Sequence, residues 1–373
     1  MNLYRVLAIL LTMISCKEKE NALEKQMSEE NYFFVGTYTN KTSEGIYKYL
    51  LHDSGSMELI GLVAKSKNPS FLARSSDRKY IIAANEIKNE SGVGTIESFL
   101  VTKDSLKFIG RSSSGGANPC FVNVDKSGYV LTANYSSGTI GLLYQNEKGK
   151  LSPLLNTLQH DENNELESTS KAHAHSAWFE KESNTIISID LGINELWFTN
   201  LDSIEHKLVP YKQQSLKMDV GAGPRHLTFH PNRKWLYVVN ELNNSITLVK
   251  KDNKGLYEKK QTISTLPQDY TEKSYCADIH ISSDGKYLYA SNRGHNSIAI
   301  LGVDANTGFL KLIATESTKG DWPRNFSLSP DENYLLVANQ YTDNIVSYSR
   351  NKSTGLLTYI DQVEASTPTC ILF

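Results

Sequence analysis

Net charge, cysteine, long apolar runs and helical periodicity are all scarce in this chain of 373 residues, and each scarcity excludes a class of protein. The formal net charge is −2, too near neutral for nucleic-acid binding through whole-chain electrostatics. There are only 4 cysteines. Cys16 lies in the N-terminal segment. Cys120, Cys276 and Cys370 are odd in number and far apart, which is no disulfide framework; they read as small buried residues. The apolar run at 6–14 is too short to span a bilayer. No long amphipathic helix period occurs after residue 31, and no G-x-S-x-G elbow offers a serine nucleophile.

What is present is turn-rich and globular. Hydrophobic residues make up 39% of the chain, with 20 Tyr, 23 Gly and 10 Pro, enough to build a core and to punctuate many short strands. The N-terminus stands apart. Arg5 precedes the apolar run, which ends at Ser15-Cys16 as lipoprotein signals do, although Met13 stands where such signals usually carry Leu. The expectation is a signal peptide over 1–16 with Cys16 as the lipidated first residue of the mature chain. A flexible polar tether over 17–30 and a folded domain over 31–373 follow. The protein is then exported and meets the membrane only through its lipid anchor. A plain cleaved signal or a membrane-edge anchor are the alternatives, and the location is cytoplasmic if the signal reading is wrong.

The segment 221–242, GAGPRHLTFHPNRKWLYVVNEL, reads as a strand over 225–230, a Pro-Asn turn and a second strand over 235–240. Arg225 and Glu241 should therefore share one rim of the hairpin. The pattern recurs at 69–86, 119–135, 174–191, 276–293 and 323–340. The second strands end at Asn85, Asn134, Asp190, Asn240, Asn292 and Asn339, with steps of 49, 56, 50, 52 and 47 residues. A third strand follows, as at 139–144, 245–250, 297–303 and 344–349, and then a weaker fourth. Four strands in about 50 residues is the arithmetic of a propeller blade. Six units are complete. In the seventh, the C-terminal TPTCILF supplies the first strand, while 31–39 and 45–51 supply the second and third. The expected fold is all-β: a seven-bladed propeller with four antiparallel strands per blade, closed by the two termini in one blade. The tryptophan–aspartate signature of the commonest propellers is missing.

First strands line the channel, so their opening residues ring one mouth. Position by position the ring reads Ser70, Cys120, His175, Arg225, Ala277, Arg324, Thr369, then Phe71, Phe121, Ser176, His226, Asp278, Asn325, Cys370. The residues after the repeated Asn or Asp add Glu86, Tyr135, Leu191, Glu241, Arg293 and Gln340. Ionisable groups gather in blades three to six, an asymmetry that architecture does not demand. Arg225, Arg293 and Arg324 offer planar donor forks for an anion or a developing oxyanion. Glu241 beside such cations should stay ionised; it or a histidine could take a proton from an attacking water. His173, His226, Asp278, Arg324 and Asn325 are candidates for holding the substrate. His173 and His175 form an H-x-H that could bind zinc with His226 or Asp278, but no further ligands stand at a firm spacing, so no metal is assigned. His230 and His280 read as buried or channel-lining.

The stretches FFVGTYT, NPCFVNVD with LTANYSSGTI, AHAHSAW, GAGPRHLTFHPN with LYVVNEL, ADIHISSDGKYLYASNRGHNSIAI and PRNFSLSPDENYLLVANQ resemble the lactonase-type seven-bladed propeller family over about 32–373. That family includes propeller-type 6-phosphogluconolactonases and fungal enzymes that interconvert carboxymuconate and its lactone. The resemblance implies a carboxylic ester hydrolase acting on a small-molecule lactone, with His175, Arg225, Glu241 and Arg293 as catalytic positions and no cofactor or metal. Phe121 departs from it, standing where relatives often carry His. Phosphorylated sugars are mainly cytosolic, so an exported chain fits a phosphorylated lactone poorly. A lactonising isomerase of muconate-like diacids, or a non-catalytic propeller that binds a sugar or a protein, remain the alternative functions. The oligomeric state is not legible.

Overall fold

Strand runs of four to eleven residues, rich in β-branched and aromatic side chains and punctuated by Gly, Asn and Asp turns, fold here into a ring of antiparallel sheets. The computed structural model describes residues 31–160 and 171–373, so the expectations for the signal, the tether and Cys16 lie outside the described residues. Among the described residues, twenty-eight strands form seven four-stranded sheets. Blades one to six span 69–113, 119–159, 174–217, 224–264, 275–317 and 323–364. Blade seven joins Pro368–Leu372 to Tyr32–Thr37, Gly45–Leu51 and Met57–Lys65. Its innermost strand is the C-terminal one, paired antiparallel with the N-terminal strand from Phe34 opposite Leu372 to Thr37 opposite Pro368. The closure pairs the N-terminal strand on both sides, as the split repeat implied.

Within each blade the second strand is buried on both faces, because neighbouring blades cover both; YIIAAN and YVLTAN have no exposed residue. The core accordingly lies between blades. Ile187, Leu196 and Phe198 of blade three meet Leu227, Leu236 and Val238 of blade four, and similar clusters repeat around the ring. Tyrosine hydroxyls fasten one blade to the next: Tyr237 donates to the Gly308 carbonyl at 2.9 Å, and Tyr289 to the Gly355 carbonyl at 2.8 Å. Fourth strands face solvent and alternate, as in Lys207–Lys217.

Two local features aim the side chains at the mouth. The strand expected over 225–230 starts one residue earlier, as Pro224–Phe229. More consequentially, the inner strand of every blade has a register break at its opening. In blade four Pro224 pairs with Asn240 and His226 with Val239, so Arg225 is the extra residue of a bulge. Ser70, Cys120, His175 and Arg324 occupy the same place in their blades. Such a bulge re-aims a side chain that plain alternation would turn away.

Candidate active site

Glu241 follows the last residue of the second strand of blade four, Trp235–Asn240, and its backbone N–H donates to the Gly223 carbonyl at 2.6 Å. Gly223 sits at φ 62°, and a Cβ there would meet Leu242 at 2.5 Å, so this turn needs glycine. The carboxylate is held by two arginines. One oxygen, Oε2, lies 3.1 Å from Arg225 Nε and 2.8 Å from Arg293 Nη2. Both guanidinium groups are buried, at 3% and 5% exposure, whereas Glu241 keeps 19% of its side chain in solvent at the mouth. Burial pushes the Glu241 carboxyl up, but Arg293 and Arg225 outweigh it and hold the group below its ordinary range. Burial, aided by Arg293 and Arg324, lowers Arg225 to about 10, so it stays charged at neutral pH.

The arginines are braced by backbone and ring. Arg225 Nη1 donates to the Ala277 carbonyl, and Arg293 Nη2 to the Cys276 carbonyl at 2.9 Å. The Arg293 guanidinium lies 5.2 Å from the centroid of Trp322, which stacks on Tyr341. Arg324 takes a different partner. Its Nη2 donates to Tyr38 Oη at 2.8 Å and stands 3.7 Å from Glu86, while Tyr38 donates to Glu86 at 2.7 Å. Blades seven and one therefore contribute polar groups to a cluster expected mainly in blades three to six. Tyr38 escaped the expectations from sequence, yet the signal existed: it follows Thr37, the blade-seven counterpart of the repeated Asn, and so continues the series of Glu86, Glu241 and Arg293.

The histidines lie deeper. His175 is buried, its ring edge-on to Tyr135 at 5.7 Å and to His226 at 5.2 Å. Burial, followed by Arg225, lowers its pKa well below the usual imidazole value. His226 is lowered to about 4 by burial and Arg225, against the opposing pull of Asp278. Both are neutral imidazoles at pH 7. His226 Nδ1 meets Asp278 Oδ1 at 2.8 Å; the other carboxylate oxygen receives Asn325 Nδ2 at 2.5 Å and His280 Nε2 at 3.1 Å. Burial raises the Asp278 carboxyl, but His280 and His226 overcome it and keep it ionised. His173 stacks on Tyr135 at 4.5 Å, with Nδ1 against the Tyr135 carbonyl at 2.9 Å. Thus His175, Arg225, Glu241, Arg293, His226, Asp278, Arg324 and Asn325 converge on one end of the channel, and His173 lies on its rim. His230 instead lies in the hairpin turn of blade four beside Trp235. Among the described residues no His, Cys, Asp or Glu cluster is arranged to hold a metal ion. Cys120, Cys276 and Cys370 are buried and free.

Phe121, one of the departures noted in sequence, is buried in an aromatic cluster beside His226. It packs on Phe71 at 4.5 Å, on Trp178 at 4.7 Å and edge-on to His226 at 5.4 Å. What remains open is a polar mouth with three guanidinium groups, two neutral imidazoles beside an aromatic cluster, and carboxylates that fix the cations in place. Such a mouth can bind a compact oxygen-rich molecule and stabilise negative charge that develops on it.

Residues 32–373 match the family described as "Lactonase, 7-bladed beta-propeller". The chain is 35% identical over 352 residues to a Bacillus subtilis protein named 6-phosphogluconolactonase, covering 91% of this chain and 97% of the relative. A Bacteroides fragilis structure, described as a putative 6-phosphogluconolactonase, is 30% identical with a TM-score of 0.83, covering 91% of this chain and 96% of that one. A Pseudomonas aeruginosa structure, described as a periplasmic gluconolactonase, is 26% identical with a TM-score of 0.84, over 91% and 98% of the two chains. This chain belongs to the seven-bladed β-propeller lactonase family.

Proposed function

We propose that this protein hydrolyses a sugar lactone at the mouth built by Arg225, Glu241, Arg293 and His175, with Arg324, His173, His226, Asp278 and Asn325 around it. The observation that carries the reading is the sharing of Glu241 by two buried arginines in a family whose relatives are named lactonases. Acyl transfer to water develops charge on the carbonyl oxygen, and fixed cations in a water-poor site stabilise that charge without reorganising. Arg225 and Arg293 face this oxygen, and Arg324 takes polar groups of the sugar. Glu241, depressed between two guanidinium groups, is a poor proton acceptor. Its part is to hold the forks in place, and the proton of the attacking water passes to a neutral imidazole.

The substrate class is an aldonolactone. The proposal includes export by the segment 1–16 and attachment through a lipid on Cys16. Export agrees with the description of the Pseudomonas aeruginosa relative as periplasmic, and it favours an unphosphorylated ring. Hydrolysis of D-glucono-1,5-lactone and of 6-phosphoglucono-1,5-lactone by the purified full chain, measured above spontaneous opening, tests the activity and the preference. No acceleration on either lactone sinks the reading. Labelled palmitate that enters the protein, and is lost in Cys16→Ser, tests the anchor.

A further inference from the structure

Just below the arginines the channel holds a void of ≈ 10 Å³, about the space of one water. Arg225, His226, Arg324, Asn325 and Ser70 line it. Ser70 is 3% exposed, and its hydroxyl has no hydrogen-bond partner among the described residues. A buried hydroxyl left in this state marks a polar seat for a small hydrogen-bonding molecule. The imidazole beside it has a fixed tautomer. The Asp278 carboxylate only accepts, so His226 Nδ1 must carry the hydrogen in their 2.8 Å bond, and the lone pair stands on Nε2. Arg225 Nη1 is 3.4 Å from that nitrogen, but its stronger bond goes to the Ala277 carbonyl, which leaves Nε2 open to a better partner.

Resting on the lactonase reading, we infer that the void seats the nucleophilic water and that His226, oriented by Asp278, is the base that activates it. Two blades build the pair, His226 from blade four and Asp278 from blade five, and a third braces it through Asn325 of blade six, whose Nδ2 donates to Asp278 while its Oδ1 accepts the Ile371 N–H at 2.7 Å. The water's oxygen bonds to the lactone carbonyl carbon while its proton moves to Nε2 and the carbonyl π pair becomes the oxyanion facing Arg225. On collapse the ring C–O bond breaks, and the imidazolium returns the proton to the leaving ring oxygen. The hydroxy acid then ionises to solvent. The groups that face His226 are Arg225 beside it, His175 from blade three, Asp278 and His280 from blade five, and the rings of Phe71, Phe121 and Trp178. His280, 38% exposed, binds the far oxygen of Asp278. With its pKa lowered to about 4, His226 keeps its lone pair through the neutral range.

The test uses the full chain and D-glucono-1,5-lactone, with melting curves to confirm folding. His226→Gln and Asp278→Asn should each lower kcat by ~10²-fold with KM within a few-fold, as expected when a positioned general base is lost. Ser70→Val, which fills the void without replacing either member of the pair, should lower kcat at least ~10-fold. The acid limb of kcat/KM should move to lower pH in Asp278→Asn, because the carboxylate that raises the His226 pKa is gone. Nitrogen-15 NMR should show His226 as the Nδ1–H tautomer in the native chain. Turnover by the native chain that survives His226→Gln or Ser70→Val, or that is lost only in His175→Gln, overturns this inference and leaves the lactonase reading standing. An Nε2–H tautomer overturns it as well. Absence of turnover by the native chain overturns both.

Discussion

Arg225 and Glu241, sixteen residues apart in the chain, are an ion pair: Nε and Oε2 stand 3.1 Å apart at the rim of one hairpin. The bulge at Arg225 and the turn at Gly223 bring them there, and Arg293 from the neighbouring blade completes the triplet at 2.8 Å. The chemistry of the mouth depends on this shared carboxylate, and four expectations follow from it and from the ring around it.

Arg225→Ala removes a donor fork aimed at the developing oxyanion, and Glu241→Gln frees two guanidinium groups from their common anchor. Each should cut turnover of a lactone substrate by at least ~10²-fold. Initial rates under saturating substrate decide it, and rates like those of the native chain in both variants rule out this site.

Stability should fall as pH falls, in two windows of the same sign. His226 and His175 have folded pKa values below the unfolded one, so below pH 6.5, and down to about 4 in the case of His226, the unfolded chain binds more protons. Glu241 and Asp278 are also depressed, so their contribution is present above the unfolded carboxylate pKa and is lost as pH drops through the folded value. Urea unfolding at pH 7.5, 5.5 and 4 should show a stepwise decline. The double variant His175→Gln, His226→Gln should flatten the upper window.

Asp190 stands where five other blades carry Asn and blade seven carries Thr37. There the amide donates to a carbonyl of the preceding loop, as Asn134 does to Ser114 and Asn339 to Thr318, each at 2.9 Å. In blade three the loop presents His160 instead, so an acceptor is needed. Asp190 binds His160 Nδ1 at 2.8 Å, while His160 Nε2 meets Ser188 at 2.9 Å and the ring stacks on Trp197. Asp190 also receives the His173 N–H at 2.8 Å, which fixes the strand leading to His175. Asp190→Ala should cost about 2–4 kcal/mol, because it strands several buried donors. Denaturant midpoints measure this, and a loss below half a kcal/mol contradicts the role given to Asp190.

Removing 367–373 deletes the inner strand of blade seven and exposes the edges it covers. The truncated chain should aggregate or lose its cooperative melting transition, as read by circular dichroism and size-exclusion chromatography. A sharp native-like transition would mean that closure matters less than the pairing implies.

Much of this was legible in the chain because a propeller is periodic. Six copies of one hairpin set strand positions and the blade count, and the unmatched ends at 31–51 and 367–373 announced the closure that Phe34 and Leu372 make. The ring of mouth residues followed from register alone. The extension to Tyr38 was available by the same register but hidden by the split blade.

Alternation of apolar and polar residues and the recurring Asn or Asp at each strand end are local properties, so the sequence alone determined the sheets, their order and which residues open each inner strand. The tertiary structure decided what those residues do. A bulge, invisible to a period of two, lets Arg225 and His226 both face the channel, and only the closed ring brings His226, Asp278 and Asn325 from three blades into one bonded group. Burial then sets their charge states, because desolvation and neighbouring guanidinium groups act through space and not along the chain.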